Sequence, residues 1–322
     1  MDPTKPLEKI AIIGATGHIG EVFVAALLKT GKHSITALTR AESKRILPEG
    51  VKRAQVDYDN QESLVAALQG QQFLIITLAV RAPPDTHGKI IQAAAKAGVP
   101  YVMPNFYGSD IRNPKLGDDK FGAIIKQQVS EMENLGVSYI SLACGTWYEW
   151  SLALGEKWFG FTIPERKVTF FDDGKTVVNV STWSLCGRAI AALLSLPESG
   201  ASPALSDWKN EPLYIASFQV SQRDMLDSLH RVLGTTDSDW DIKYESTAKR
   251  AQEGMGEFSR GIRTGIAKYM YAKLFISSRA GEFDNPKGVA NKVLGLPEES
   301  LDEATGRAVH MVESGWNPLA PP

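Results

Sequence analysis

Ile10-Ala11-Ile12-Ile13-Gly14-Ala15-Thr16-Gly17-His18-Ile19-Gly20-Glu21-Val22-Phe23-Val24-Ala25-Ala26-Leu27-Leu28 reads as an apolar strand, a glycine-rich turn and a helix, in that order. The order matters because the first amides of a helix lack intrahelical acceptors and carry a partial positive charge, which suits a pyrophosphate. Glycine at positions 14, 17 and 20 lets the backbone approach that anion and lets the helix pack closely on its strand. Glycines alone are a weak signal; the flanking strand and helix supply the context that a dinucleotide fingerprint requires. Gly14, Thr16, Gly17, His18, Ile19 and Gly20 are therefore expected to hold the diphosphate.

The spacing is Gly-x-x-Gly-x-x-Gly rather than the Gly-x-Gly-x-x-Gly of the usual dinucleotide dehydrogenases. The next strand, Ser34-Ile35-Thr36-Ala37-Leu38, runs into Thr39-Arg40. An acid at this point would accept from a free ribose 2′-hydroxyl. Arg40 offers instead a planar, permanently charged fork suited to a 2′-phosphate, with Lys44 shortly after it. The expected cofactor is NADPH or NADP+.

The 322 residues suffice for one large or two modest domains. Hydrophobic residues make up 43% and charged residues 22%, the balance of an ordinary globular protein. Thirty-five Lys and Arg against 37 Asp and Glu leave no basic surplus for a nucleic-acid partner. Met1-Asp2-Pro3-Thr4-Lys5-Pro6 lacks the pattern of a secretion signal, and the apolar run from Phe73 to Val80 is too short to span a bilayer. The expectation is a cytoplasmic monomer or homodimer with no membrane partner. Cys144 and Cys186 have no spacing that suggests zinc or a disulfide scaffold.

Strand and helix patterns alternate through the first half. Strands are expected near 9–13, 34–38, 51–56, 72–78, 99–103 and 137–143, with helices near 18–30, 61–69, 87–97 and 120–135. That alternation implies an α/β fold: a Rossmann-type, doubly wound parallel sheet with both faces covered. Ligands bind beyond the carboxyl ends of such strands. Site residues are therefore sought at 14–20, 39–44, 57–59, 79–85, 104–110 and 144–150. Asp57 and Ala79 fall there as candidate cofactor contacts, Asp57 being equally suited to a turn or cap. Beyond about residue 150 the rhythm changes to aromatic-rich segments, a hairpin around Phe171-Asp172-Asp173-Gly174-Lys175, and helices near 182–196, 221–234, 246–255, 259–275 and 300–314. Residues 1–150 read as a dinucleotide-binding domain and 151–322 as a smaller, mostly helical substrate-capping domain, with a strand near 213–217 rejoining the sheet.

Taken together, Gly14 to Gly20, Thr39-Arg40 and Val102-Met103-Pro104-Asn105-Phe106-Tyr107-Gly108 resemble the NmrA-like, isoflavone-reductase-like branch of the atypical short-chain dehydrogenases. Gly136-Val137-Ser138-Tyr139-Ile140 and Gly145-Thr146-Trp147-Tyr148-Glu149-Trp150-Ser151-Leu152 extend the likeness, and Phe170 to Gly174 with Ser181-Thr182-Trp183 are similar to fungal members. The resemblance implies NADPH binding, a Rossmann-type domain, a variable substrate cap, and reduction of aromatic or conjugated molecules. The family also holds members that bind the dinucleotide and act as regulators.

In plant relatives a lysine on the helix after the fifth strand is the proposed acid/base. Ile125 occupies that position here, on an apolar stripe with Phe121, Val129 and Met132, and Lys126 stands one step round the helix. Tyr269 and Lys273 are the one Tyr-x-x-x-Lys pair, too far downstream to serve. Asn105 and Tyr107 follow the fifth strand where a nicotinamide would lie. An amide there could hold a carboxamide, and a hydroxyl could give a proton. Pro104 and Asn105 are thus read as cofactor contacts, and Lys126 and Tyr107 as the catalytic candidates. Phe106, Trp147, Tyr148 and Trp150 are read as walls for an aromatic substrate, core packing being the competing reading for any single ring. His18 and His87 read as neutral loop histidines. The leading expectation is an NADPH-dependent reductase of a small aromatic or conjugated molecule, in secondary metabolism. Two others stay open: a dinucleotide-sensing regulator, and a biosynthetic enzyme in which bound NADPH assists a rearrangement.

Overall fold

The strand β1 (Lys9–Ile13) is buried over its last four residues and pairs in parallel on both sides, which is why it is apolar on both faces. The computed structural model describes residues 2–79, 82–108, 110–113, 116, 120–276, 283, 285 and 288–319. After β1 come α1 (His18–Thr30), β2 (Ser34–Arg40), β3 (Val51–Val56), α2 (Gln61–Leu68), β4 (Phe73–Ile76), α3 (Thr86–Ala97), β5 (Tyr101–Met103), α4 (Lys120–Asn134) and β6 (Ser138–Ala143). There follow β7 (Thr146–Trp147), α5 (Tyr148–Ala153), α6 (Glu156–Phe159), β8 (Phe161–Thr162), β9 (Lys167–Phe171), β10 (Val178–Ser181), α7 (Trp183–Leu194) and β11 (Glu211–Tyr214). The chain ends with β12 (Phe218–Val220), α8 (Gln222–Leu233), β13 (Asp241–Glu245), α9 (Thr247–Ser259), α10 (Gly265–Leu274) and α11 (Leu301–Glu313).

Among the described residues seven parallel strands form one sheet in the order β11-β6-β5-β4-β1-β2-β3. This is the expected Rossmann-type order, reversing direction at β1 and β4, where the carboxyl ends open a crevice. Helix α1 buries Phe23, Val24 and Leu27, each worth roughly 1.5–3 kcal/mol of transfer free energy. It stops at Gly31, whose φ of 66° is the left-handed cap that its position predicts. Helix α4 lays Ile125, Val129 and Met132, three of the four residues of the expected stripe, on the core.

The chain forms two compact units. One comprises Met1–Ala143, Ser184–Ile215 and Lys287–Leu296; the other comprises Cys144–Trp183, Ala216–Pro286 and Pro297–Pro322. The sheet unit thus takes in α7 beyond Trp183 and also β11, segments that a division near residue 150 leaves in the second half. Backbone pairing requires this, because β11 runs parallel to β6 from Glu211↔Ile140 to Tyr214↔Ala143. Helix α7 also lies hard against α1: a Cβ on Gly187 would stand 2.8 Å from Val22 Cγ1.

In the second unit a fully buried core gathers Tyr148, Leu152, Phe159, Phe161, Phe170 and Phe171 with Met225, Leu229 and Phe275. The hairpin expected around residues 171–175 is not formed. A turn is present, closed by Gly174 N–H on the Phe171 carbonyl at 3.0 Å, but its flanking strands join different sheets. Strand β9 pairs with β8 and β13, and β10 with β7 and β12. The turn is tied instead to α9, where the Asp172 carboxylate accepts from the Thr247 amide and hydroxyl.

Candidate functional site

The three glycines of the first turn have different reasons to be glycine. Gly14 has φ +77°, and a Cβ on it would meet the Thr77 carbonyl oxygen at 2.0 Å. A Cβ on Gly20 would meet the Gly14 carbonyl oxygen at 2.1 Å. Packing of the turn on the end of β4 therefore dictates both; Thr77 completes it by donating its hydroxyl to the Ile13 carbonyl at 2.7 Å. Gly17 is exposed, has φ −86°, and a Cβ there would meet only the Gly14 carbonyl oxygen, at 3.2 Å. The fold presses on Gly17 far less than on Gly14 or Gly20. Gly17 is the N-cap of α1 and brings no side chain to that helix's first amides, so the turn is an open, electropositive cradle that a Cβ would narrow. His18 and Gly17 lie exposed at its mouth, Thr16 is half-buried, and Ile19 is buried, so Ile19 can offer only its backbone.

At the end of β2, Arg40 is exposed and pairs with Glu42 at 3.2 Å. With both side chains about two-thirds exposed (65% and 66%), the pair is worth little, and a phosphate dianion can displace it. Lys44 is exposed on the same loop. Asp57 is engaged in the turn before α2: its carboxylate accepts the Asp59 amide at 2.9 Å, and its own amide donates to Ser63 Oγ at 3.1 Å. The turn alternative is thus the one the geometry favours for Asp57, the cap of α2 being Asn60. Ala79 is exposed just beyond β4, and its carbonyl accepts the Ala82 amide at 2.9 Å. Of the strand-end stretches, residues 80, 81 and 109 lie outside the described residues.

After β5 the chain passes buried Pro104, bends at Asn105 and turns at Tyr107 and Gly108. Asn105 Oδ1 accepts the Leu78 amide at 2.9 Å, and the Tyr107 hydroxyl donates to the Ile76 carbonyl at 2.8 Å while its ring packs 5.6 Å from Phe23. The proton that Tyr107 was expected to supply is committed to the sheet, so this tyrosine is a strut. Phe106 goes into the core, 6% exposed and 6.3 Å from His87, and is no substrate wall. Lys126 is exposed on α4, one step from the apolar stripe, and has no hydrogen-bond or ion-pair partner among the described residues.

His87, in the first turn of α3, is buried, and neither ring nitrogen has a hydrogen-bond partner among the described residues. Burial lowers its pKa from 6.5 to about 4. The unfolded imidazole therefore takes up its proton first as pH falls; stability is full above pH 6.5 and is lost from there down toward pH 4. For one such group the loss between pH 7 and pH 5 is about 2 kcal/mol. His87→Leu should flatten that part of the profile in urea denaturation at the two pH values; an unchanged slope contradicts this assignment.

In the second unit Tyr148 is fully buried between Phe159 and Phe218, which corrects its reading as a substrate contact. Its hydroxyl belongs to a directed chain. Ser228 gives its single proton to Asp302 at 2.7 Å, so Thr305 must donate to Ser228 and Tyr148 to Thr305, each at 2.7 Å. Trp147 and Trp150 stay half-buried and pack with Trp183 and Trp316, ring centroids 5.3–6.3 Å apart. Local sequence patterns do not reveal those two partners. Beside them Glu149, 4% exposed, takes Arg307 on one carboxylate oxygen at 2.9 and 3.0 Å, and burial raises its pKa. Among the described residues no group of His, Cys, Asp and Glu could hold a metal ion, and no helix is long and apolar enough to cross a membrane.

Residues 6–146 match the NmrA-like family model. Oxidoreductase aprR of Aspergillus flavus is 26% identical over 303 residues, covering 92% of this chain and 96% of that protein. The solved structures of pinoresinol-lariciresinol and phenylcoumaran benzylic ether reductases align with a TM-score of 0.76 at 18% identity, over 94% of this chain and 99% of theirs. The Escherichia coli NADPH-dependent quinone oxidoreductase complexed with NADPH aligns with a TM-score of 0.68 at 22% identity, over 93% and 99%. These likenesses agree with the sheet order found here and with the resemblance carried by the glycine turn. Through its residues 6–146 the chain is similar to the NmrA-like family.

Proposed function

We propose that this protein is an NADPH-dependent reductase of a small aromatic or conjugated molecule. Gly17 carries the proposal: it is the glycine of the turn on which the fold presses least, at the mouth of a helix N-terminus with no side-chain cap. The backbone of Gly14 to Gly20 would hold the diphosphate, and Arg40 with Lys44 the 2′-phosphate. Pro104 and Asn105 would border the nicotinamide, where Asn105 keeps hydrogen-bonding capacity beyond its bonds to Leu78. Bound NADPH supplies two-electron reduction of the acceptor. The accompanying proton is assigned to Lys126, whose ammonium has no partner among the described residues, rather than to Tyr107. The aromatic preference is assigned to Trp147 and Trp150. Support comes from the names of similar proteins, an oxidoreductase from a fungus and reductases of lignan-type and quinone substrates. A place in secondary metabolism and a substrate-capping role for the second unit belong to the same proposal.

The test is substrate-dependent NADPH oxidation across quinones, enones, imines and lignan-type compounds. Acceleration by one class supports the reading. Tight NADPH binding with no acceleration by any of them favours the dinucleotide-sensing regulator, which the packing of a half-buried Ile125 against the core at the family's lysine position also favours. Arg40→Ala is expected to weaken NADPH binding by about 10- to 100-fold, through loss of charge-assisted hydrogen bonds. NADH binding should stay within about twofold, because NADH lacks the 2′-phosphate. Equal losses for both dinucleotides would remove the 2′-phosphate assignment.

A further inference from the structure

Arg53 lies on β3, away from every stretch that strand-end reasoning selects, yet its guanidinium reaches the loop that follows β2. Nη1 donates to Thr39 Oγ1 at 3.1 Å and to the Ser43 carbonyl at 3.4 Å, and Nη2 donates to the Arg45 carbonyl at 2.5 Å. Residues 43–48 belong to no helix or strand, so their backbone must find partners elsewhere. The Arg53 fork supplies them from one rigid, planar group, which a flexible single-point ammonium cannot imitate.

The charges here are unbalanced. Arg40, Lys44, Arg45 and Arg53 crowd one loop, and the acid paired there is Glu42, on Arg40. Lys44, Arg45 and Arg53 have no acidic partner among the described residues. Because Arg53 spends its donors on neutral oxygens, its charge is not cancelled. Like charges held together this way favour a dianion, and a ribose phosphate monoester is one.

The geometry points to Arg53 as the residue that sets the preference for NADPH over NADH, by fixing the Arg40–Arg45 segment so that Arg40 and Lys44 face the 2′-phosphate. This rests on the NADPH site proposed above. Arg53 is a positioning residue: its donors go to Thr39, Ser43 and Arg45, and Arg40 and Lys44 do the recognising.

The experiment compares the parent chain, Arg53→Met and Arg53→Lys by calorimetry with NADPH and with NADH, and by the rate of trypsin cleavage after Lys44 and Arg45 in the ligand-free protein. Arg53→Met should raise the Kd for NADPH about tenfold and leave that for NADH within about twofold. Cleavage after Lys44 and Arg45 should accelerate severalfold in both variants. Lysine should not restore the preference, since it keeps the charge and loses the fork. Restoration by lysine, an equal loss for both dinucleotides, or unchanged cleavage would each overturn the inference. A parent chain that binds both dinucleotides alike overturns the NADPH site and this inference together. A parent that prefers NADPH, with the ratio kept in Arg53→Met, overturns this inference alone.

Discussion

Gly17→Ala is expected to lower NADPH affinity by about two to three orders of magnitude, the equivalent of one or two charge-assisted hydrogen bonds to the diphosphate, while the protein stays folded. The new methyl group would stand 3.2 Å from the Gly14 carbonyl oxygen, on a backbone whose φ of −86° suits any residue, so the fold needs to give only slightly. The same methyl group narrows the space between the helix N-terminus and an incoming phosphate. Gly20→Ala supplies the contrast. Its Cβ would fall 2.1 Å from the Gly14 carbonyl oxygen and 3.0 Å from Thr77 Oγ1, so the turn itself must open, at a cost of about 3 kcal/mol of stability or more. Thermal melting and calorimetry on both variants separate the two roles. A Gly17→Ala protein that binds NADPH like its parent would show that the first turn is only a tight connection.

Lys126→Met should reduce kcat about 10²- to 10⁴-fold, the range for loss of a general acid, with NADPH binding unchanged. Lys126 stands exposed beside an apolar stripe, and its removal deletes no core contact, so stability should stay within about 0.5 kcal/mol of the parent. The Tyr107 hydroxyl cannot take over without breaking its bond to the Ile76 carbonyl. Tyr107→Phe should therefore act on stability, by about 1 kcal/mol, more than on kcat. A Lys126→Met enzyme with full kcat, or a Tyr107→Phe enzyme with a collapsed kcat, reverses the assignment.

Most of the sheet was legible because its signals are local. The glycine turn, the apolar runs and the helix-ending glycines each lie within one element and its neighbours, and the strand ends then locate the crevice. The second unit offers less. Strands β7 and β8 are two residues long, too short for a period to show. Strands β9 and β13 meet across a long stretch of chain, so their pairing leaves no local mark. The site residues divide the same way. Gly14, Gly17, Gly20 and Arg40 would act through the backbone or charge of their own turn. The roles of Asn105, Tyr107 and Tyr148 depend on partners at Leu78, Ile76 and Thr305, which no spacing announces. Phe106 is of the same kind: its burial beside His87 follows from a bend and a turn, where no period shows. Arg53 left no trace, because an exposed arginine on an edge strand ordinarily faces water.

Direct titration of the parent chain with NADPH and, separately, with NADH tests the central claim: the first turn and the end of β2 together hold a dinucleotide bearing a 2′-phosphate. The account predicts saturable one-to-one binding of NADPH, with NADH weaker by about tenfold or more. Absence of NADPH binding by the folded chain contradicts it.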